Sequence, residues 1–281
     1  MGDVQTVVVE SLPELIEHVT PDEPEPSSGR RRGYNVYRGA LDGPDGLRTS
    51  LDRLGGAGQA HAKGHLEEHI LRNFIRYATP YLPRGGGDWE HLFTAQHHGL
   101  PTRLLDWSYS PLVAAHFATL GDSPDVDRVI WQLDWRRVHE RFGLRPLAFL
   151  IDDLESALKE RGVDSLWEFM AADRLDRGAF ACMLEPPALD ARITVQAAGF
   201  TICSDRSRSF GDFLAAHGIA DTLTRILVPA ESVQLLRDQL DLCGIDERRL
   251  FPDLDGVARE LRRYYSASAE AAPLRGSATG A

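Results

Sequence analysis

Short segments rich in β-forming residues are scattered between helical segments along this chain, and their spacing constrains the fold more than any other feature. The regular helical crossovers of a doubly wound parallel sheet do not separate them. We therefore predict an α+β fold with a mixed sheet core and surrounding helices. Strands are predicted at residues 5–10, 34–39, 128–133, 178–184, 192–196, 199–203 and 225–228, with a short extended segment at 102–106.

Apolar periodicity and capping residues predict the helices. Leu66, Ile70 and Phe74 recur at four-residue spacing, which marks one face of a helix. Asp88 and Gly99 carry the start and stop signals of the next helix. The predicted helices are 60–78, 88–99, 112–119, most of 136–177, a helix that ends at Gly244, and 255–265.

Chain length and net charge limit the number of domains and the kinds of binding partner. With 281 residues, 43% of them hydrophobic, the chain can form one large domain. Its net charge of -11 gives no overall field that attracts nucleic acid. We predict an N-terminal strand, helix and Pro/Arg-rich linker at 1–33, a main domain at 34–265 and a disordered tail at 266–281.

Cysteine usage and hydropathy point to a reducing compartment. Cys182, Cys203 and Cys243 are far apart and form no CxxC pair, which disfavours a zinc ribbon or a disulfide framework. The N-terminus lacks a basic region followed by an apolar run, and no apolar stretch approaches the roughly 20 residues of a membrane helix. We expect a cytoplasmic protein that makes no membrane contact.

The densest run of polar, titratable and aromatic side chains is residues 96–108, at a junction between a helix stop and a helix start. Ser110-Pro111 begins the next helix, whose free N–H groups can bind an anion. A functional site and a scaffold fit the local chemistry equally well. In the scaffold alternative, Arg103 and Asp106 form a buried ion pair and Trp107 belongs to the core.

Two further segments carry candidate binding residues. Arg38 ends a predicted strand, and its planar guanidinium can form bidentate hydrogen bonds with a phosphate or a carboxylate. Gly39 would let a ligand or another chain come close. Gln196 and Gly199 lie in strand-like sequence, where a glycine indicates a bulge, a close approach or an ordinary hairpin.

A metal motif occurs in the helix predicted at 60–78. His65, Glu68 and His69 form the H-x-x-E-H pattern, in which two histidines share a zinc ion and the glutamate activates its water. A third protein ligand is needed, and the sequence supplies no strong signal for it. A solvated helix face is the favoured interpretation, and we expect no metal.

Four of these pieces together resemble the FRG domain family, named for a Phe-Arg-Gly motif. The first is Tyr37-Arg38-Gly39. The second is QHHGLPTRLLDW at 96–107, continued by SPLVAAHFA at 110–118. The third and fourth are 196–200 and GIDERRLFPDLDG at 244–256. The resemblance covers 34–262 and implies a domain type rather than a particular reaction.

The chain is also similar to ADP-ribosyltransferases of the R-S-E type. Many of these begin with a strand ending in Tyr-Arg-Gly, as at Arg38, and later carry a Ser/Thr strand before an Ala-rich helix, as at 104–108 and 111–117. Their third feature is a late Q/E-x-E motif. Gln196 stands at its first position, and Ala198 stands where the glutamate would be.

This second resemblance implies an ADP-ribosyltransferase-like fold and NAD as substrate. Bacterial enzymes of this sort act as toxins or in phage defence, with a nucleic-acid base, a protein side chain or water as acceptor. Arg38 would grip the NAD phosphates, Ser108 would support the ribose, and Asp106 would stabilise positive charge on the ribose. The remaining candidates are His97 and Arg103 in catalysis, Gly39, Gln96, His98, Thr102, Trp107 and Gln196 in binding, and Glu67, Glu68 and Glu185 as reserve carboxylates.

Two rival functions come from different classes. A non-catalytic module that binds a nucleotide or a partner is favoured by Ala198 in place of the glutamate. An enzyme is favoured by the density of His, Arg and Asp at 96–108. We expect the NAD-linked enzyme, with the binding module second and a zinc hydrolase third.

Overall fold

One mixed seven-stranded sheet forms the centre of the part of the chain that the structure describes. The structure is a computed structural model. It describes residues 3–43, 46–54, 60–82, 85–121, 125–171, 175, 178–187 and 191–266, without the side chains of 60–64. The strands are β1 (Gln5–Val8), β2 (Asn35–Leu41), β3 (Leu105–Ser108), β4 (Arg128–Asp134), β5 (Ala181–Leu184), β6 (Ala198–Cys203) and β7 (Leu223–Val228).

The strand order across the sheet is β1-β7-β4-β2-β3-β6-β5. β1 pairs with β7 in parallel, and the other neighbouring strands pair antiparallel. Strands of mixed direction with helices between them confirm the predicted α+β class. The predicted N-terminal strand is thus an edge of this same sheet.

Helices cover both faces of the sheet. In chain order they are α1 (Leu12–Val19), α2 (Ser50–Arg53), α3 (Ala60–Ala78), α4 (Asp88–His97), α5 (Pro111–Ala118), α6 (Trp135–Arg141), α7 (Ile151–Lys159), α8 (Leu166–Ala171), α9 (Ala191–Val195), α10 (Phe210–Ala216), α11 (Val233–Leu242), α12 (Glu247–Leu250) and α13 (Leu254–Tyr264). Single 3-10 turns occupy Ala220–Thr222 and Ala230–Ser232.

Two apolar clusters cover one face of the sheet. Helices α1, α5 and α11 pack on β2, β4 and β7 around Tyr37, Ile130 and Ile226. Helices α3, α4, α7 and α8 pack on β5 and β6 around Phe93 and Phe200. The strand between these two groups of helices is β3, so its residues on this face lie at a junction between helix layers.

A third cluster covers the opposite face. Val36, Trp107 and Leu133 project there from β2, β3 and β4, and α6 and α10 pack on them through Trp135 and Phe210. The side chains of consecutive residues in a strand point to opposite faces of the sheet, which explains why the clusters on the two faces contain different residues. Val36 and Tyr37 therefore belong to different cores.

The strand predicted at 192–196 is wrong, because residues 192–195 lie in the helix α9 and Gln196 lies in the turn that follows it. Ile193 is buried, but Val195 is 43% exposed. A strand would have placed both side chains on one face, so the burial pattern overrides the β-propensity of the β-branched residues. Gln196 N donates to Arg192 O, and Ala197 then adopts a positive φ of 46°, which turns the chain into β6.

The extended segment predicted at 102–106 begins three residues later, as β3. Thr102 and Arg103 instead make hydrogen bonds to Ser50 and Glu67, which the sequence pattern did not indicate. The tail predicted at 266–281 lies outside the described residues except for Ser266. Within the described ranges, every helix is either too short or too polar to cross a bilayer.

Candidate functional site

The strands that carry the first two motifs separate after a single pairing. β2 pairs with β4 along all of Asn35–Leu41, whereas its ladder with β3 contains only Tyr37 opposite Ser108. Toward Leu105, β3 continues its pairing with β6. A gap therefore opens in the sheet between the second half of β2 and the first half of β3, and we call it the β2–β3 gap.

Arg38 extends across the β2–β3 gap. Its Nε donates to the carbonyl of Gly46 at 2.9 Å, and its Nη1 donates to the main-chain carbonyl of Asp106 at 3.0 Å. The same Nη1 lies 3.6 Å from Asp106 Oδ2, with side-chain exposures of 14% for Arg38 and 57% for Asp106. Burial lowers the pKa of the guanidinium, and the Asp106 carboxylate opposes that effect. A looser ion pair at a solvent-facing carboxylate can exchange for another anion.

Asp106 is also held from the other side. Gln96 Nε2 donates to Asp106 Oδ1 at 2.8 Å, and Thr102 Oγ1 donates to Gln96 Oε1 at 2.5 Å. Ser50 Oγ accepts from Thr102 N at 3.1 Å, which ties the start of α2 to this chain of bonds. Predicted site residues Arg38, Gln96, Thr102 and Asp106 thus lie in one connected polar network.

Arg103 lies beneath this network rather than in it. Its Nε and Nη2 both lie 2.7 Å from Glu67 Oε2, and its main-chain N donates to Glu67 Oε1 at 2.9 Å. The guanidinium also packs over the Phe169 ring at 4.5 Å. Both charged side chains are almost wholly buried, at 4% and 1% exposure. The pair fixes the 96–108 segment to α3 and α8, and it matches the scaffold alternative for Arg103, with Glu67 as the partner instead of Asp106.

Trp107 and Ser108 face inward. Trp107 Nε1 donates to Thr201 Oγ1 at 2.9 Å, and the ring packs edge-on against Phe210. Ser108 Oγ donates to the carbonyl of Gln196 at 2.7 Å. Both side chains are buried, so contacts with a ligand at these positions would require the surrounding core to open.

Gly39 is close to α5. A Cβ on Gly39 would lie 2.0 Å from Ala114 O and 2.3 Å from Ala118 N, both main-chain atoms of that helix. The space beside Gly39 is therefore taken by α5, and only a glycine fits where β2 and α5 meet. Close approach was predicted here, and the approaching group is a segment of the chain itself.

Gln196 connects the third motif to the fourth. Its Nε2 donates to the carbonyl of Leu250 at 2.9 Å, while its own carbonyl accepts from Ser108. Arg192 stacks over the Phe251 ring at 4.6 Å. These contacts hold α12 and the segment after it against the start of β6, where Ala198 pairs with Ser108.

The histidines and the reserve carboxylates are distributed around the site. His97 ends α4 and contacts His98 with ring centroids 5.2 Å apart. Glu185 follows β5 and accepts from the Tyr109 hydroxyl at 2.8 Å. Burial and this contact with Glu185 raise the pKa of the Tyr109 hydroxyl. Glu185 lies beyond β6, on the side of that strand away from β2.

The H-x-x-E-H motif lies on α3 with its own partners. Glu68 pairs with Arg72 at 2.8 Å, and His69 contacts Asn73 at 3.0 Å. Over the described ranges, no group of three His, Cys, Asp or Glu side chains is placed to hold a metal ion. The zinc-hydrolase alternative gains no third ligand from these residues.

Two concavities border the 96–108 segment. A cavity of about 30 Å³ lies between α2 and β6, lined by Asp52, Arg103, Thr201 and Arg208 among others. It is too small for a nucleotide. A shallow groove of about 540 Å³ runs along α3 beside Phe74, Tyr77, Tyr81 and Leu100.

Several contributors to the site were not predicted. The Gly46 carbonyl that accepts from Arg38 has no side-chain signal. Helix α2, by contrast, has a signal in the sequence. Thr49 and Asp52 carry the spacing of a capping box, and they make both of its reciprocal hydrogen bonds. The sequence marks Glu67 only as a reserve carboxylate, because its bond to Arg103 joins positions 36 residues apart.

Comparison with known proteins agrees with the first two motifs. Residues 34–126 match the family model described as the FRG domain. This match contains Tyr37-Arg38-Gly39 and the whole of 96–107, and it ends before the segments at 196–200 and 244–256. No curated protein matches the chain. No solved structure matches it either.

Proposed function

We propose, with the FRG domain at residues 34–126 as the premise, that the β2–β3 gap binds NAD and that the protein is an ADP-ribosyltransferase or NAD hydrolase. The observation that carries the proposal is the order β2-β3-β6 in the sheet. These neighbouring strands bear Arg38, Ser108 and the segment that follows Gln196. The three positions that resemble the R-S-E motifs, far apart in sequence, thus lie on adjacent strands, with Arg38 reaching across the β2–β3 gap and Ser108 at its closed end, where β2 and β3 still pair.

Arg38 is the phosphate-binding group in this proposal. Two carbonyls orient its guanidinium before any ligand arrives, which lowers the ordering cost of binding. A pyrophosphate would replace the looser 3.6 Å contact with Asp106 Oδ2 by bidentate hydrogen bonds. The low exposure of Arg38 strengthens its interaction with a phosphate that excludes water.

Asp106 is the carboxylate that stabilises the reacting ribose. The reaction breaks the bond between ribose C1′ and the nicotinamide nitrogen, and nicotinamide leaves with the bonding electron pair. An acceptor oxygen or nitrogen then bonds to C1′ and loses its proton to solvent or a base. Gln96 holds the Asp106 carboxylate, which is 57% exposed, so that its negative charge would stabilise the positive charge developing on the ribose.

A non-catalytic nucleotide-binding module is the second candidate. Ala198, at the start of β6 opposite Ser108, offers no carboxylate where R-S-E enzymes carry one. Asp106 is tied to both Gln96 and Arg38. Under this alternative the same gap binds NAD or ADP-ribose and leaves it intact.

Nicotinamide release is the experiment that tests the enzyme. Purified protein is incubated with NAD alone and with DNA, RNA or cell lysate, and released nicotinamide is measured by chromatography. We expect release by the wild type and a loss of about 100-fold or more in Arg38→Ala and Asp106→Asn. Arg137→Ala is the matched control, because it removes an arginine from the surface ion pair with Asp221.

The outcomes separate the two candidates. Release that Arg38→Ala and Asp106→Asn both retain at the wild-type rate would contradict a site in the β2–β3 gap. NAD binding without release under every condition, with both variants folded by circular dichroism, would contradict the enzyme and support the binding module.

A further inference from the structure

Helix α13 packs against the body of the protein with its polar side. Arg263 contacts both carboxylate oxygens of Glu247 and forms two hydrogen bonds with Asp241, and Glu260 pairs with Arg248 at 3.1 Å. A Cβ on Gly256 would lie 1.9 Å from the carbonyl of Phe251, so the helix is in close contact there. Gly256, Glu260 and Arg263 therefore define the inward side of α13.

The apolar side of α13 faces away from the body. At about 100° per residue, Leu254, Val257, Leu261, Tyr264 and the adjoining Tyr265 fall on one stripe about 100° wide, whose centre lies about 125° around the helix from the inward side. Leu254 and Tyr264 are 86% and 76% exposed, and Leu261 is half exposed. We call these five residues the α13 stripe. A surface helix normally buries its apolar stripe, so this reversed orientation marks an interaction surface.

Two exposed residues of opposite charge flank the α13 stripe on one side, whereas Glu260 on the other side is paired with Arg248 of the same chain. Asp255 lies in the first turn and Arg262 in the last turn, and both are exposed. Their positions on the helix differ by about 20°, so they share the same flank. In an antiparallel helix pair related by a two-fold axis, the same flank of each helix meets the other. That arrangement places Asp255 of each copy opposite Arg262 of the other.

The apolar residues match in the same register. An antiparallel pair centred near residue 259 sets Leu254 against Tyr264 of the second copy and Val257 against Leu261. A parallel pair would not bring the two charged residues together. The macrodipoles of antiparallel helices also attract, because opposite ends lie side by side.

We propose that the α13 stripe binds the same stripe of a second copy of this chain, antiparallel and in this register. Eleven residues give a helix about 16 Å long, and the contact falls at the small end of specific interfaces. A contact of this size makes a weak dimer.

Sedimentation equilibrium of the full chain tests the dimer, from about 1 μM to about 1 mM protein. We expect a concentration-dependent monomer–dimer equilibrium for the wild type. Leu261→Ser raises the dissociation constant about tenfold or more. Leu150→Ser is the matched control, because Leu150 is similarly exposed but lies at the start of α7.

Charge exchange tests the register. Asp255→Arg and Arg262→Asp each weaken the dimer by placing like charges opposite each other, and the double variant Asp255→Arg/Arg262→Asp restores it. A wild type that stays monomeric over the whole range would overturn the proposal. So would single charge variants that dimerise as the wild type does. Binding to vesicles of anionic phospholipid by a monomeric wild type, lost in Leu261→Ser, would overturn it too and assign the stripe to a membrane surface.

Discussion

Arg38 donates to the main-chain carbonyl of Asp106 and lies 3.6 Å from its carboxylate, and so it links β2 to β3 where their ladder has ended. The two motifs are 68 residues apart in sequence. The Arg38 side chain therefore links two neighbouring strands that, elsewhere in the sheet, main-chain hydrogen bonds link. Replacing this connection with a ligand would alter the contact between the two strands.

The Arg103–Glu67 pair should be essential to stability. Arg103→Ala leaves the Glu67 carboxylate buried without its cation, and we expect a loss of about 3–5 kcal/mol in the free energy of unfolding. The control Arg72→Ala breaks the exposed pair with Glu68 and should cost no more than about 1 kcal/mol. Urea denaturation measures both. Equal costs for the two variants would show that Arg103 is not the buried anchor described.

Gly39→Ala should destabilise the protein by about 3 kcal/mol or more. The added methyl group would overlap main-chain atoms of Ala114 and Ala118, which cannot move without displacing α5 from the sheet. Gly43→Ala is the control, because a Cβ there meets no atom within 4 Å. Thermal unfolding of the two variants gives the comparison, and a Gly39→Ala midpoint equal to that of the wild type contradicts the close contact.

Stability should fall with acid because of His116. Burial, and then the nearby charge of Arg237, lower the pKa of His116 from 6.5 to about 3, with Arg263 adding to this and Ile245 and Asp241 opposing it. The unfolded chain takes up a proton below pH 6.5 that the folded chain refuses until about pH 3. The contribution of neutral His116 to the free energy of unfolding is thus fully present above pH 6.5, and it is lost as the pH falls toward 3.

Urea midpoints measured between about pH 5 and 7 test this assignment. The uptake of one such proton lowers the free energy of unfolding by at most about 1.4 kcal/mol for each pH unit. His116→Gln should flatten the slope, because it removes the group whose pKa is lowered by burial. An identical slope in wild type and His116→Gln would exclude His116 as the source.

Trp107 should affect stability and not NAD binding. Trp107→Phe removes the donor to the Thr201 hydroxyl in the core, at a cost of about 1–3 kcal/mol. Thr201→Val together with Trp107→Phe removes both partners and should recover part of that loss. If Trp107→Phe weakens NAD binding tenfold while the fold stays intact, the ring is a ligand contact and its burial here is not the binding-competent state.

Much of the architecture follows from local signals. The stop at Gly99 and the start at Ser110-Pro111 frame the junction correctly, because positive φ and N-capping are decided by neighbouring residues. Helix α9 was missed since Thr194 and Val195 favour strands, whereas the position of Ile193 relative to the core decides the outcome.

The site itself depended on contacts between distant residues. The motif residues divide into a surface network around Asp106 and buried supports such as Arg103, Trp107 and Ser108. Sequence could not divide them, because Asp106 and Trp107 are neighbours in β3 and their exposure follows from which face of the strand each occupies. Partners such as Glu67 and Gln196 are brought in only by tertiary packing.

The most direct test of the β2–β3 gap is calorimetric titration with NAD and with nicotinamide riboside, which lacks the pyrophosphate. We expect the wild type to bind NAD, Arg38→Ala to bind it at least tenfold more weakly, and the same substitution to leave the much weaker binding of nicotinamide riboside unchanged. Arg137→Ala should bind both as the wild type does. Equal NAD affinity in wild type and Arg38→Ala would contradict Arg38 as the phosphate-binding group and, with it, the proposed site.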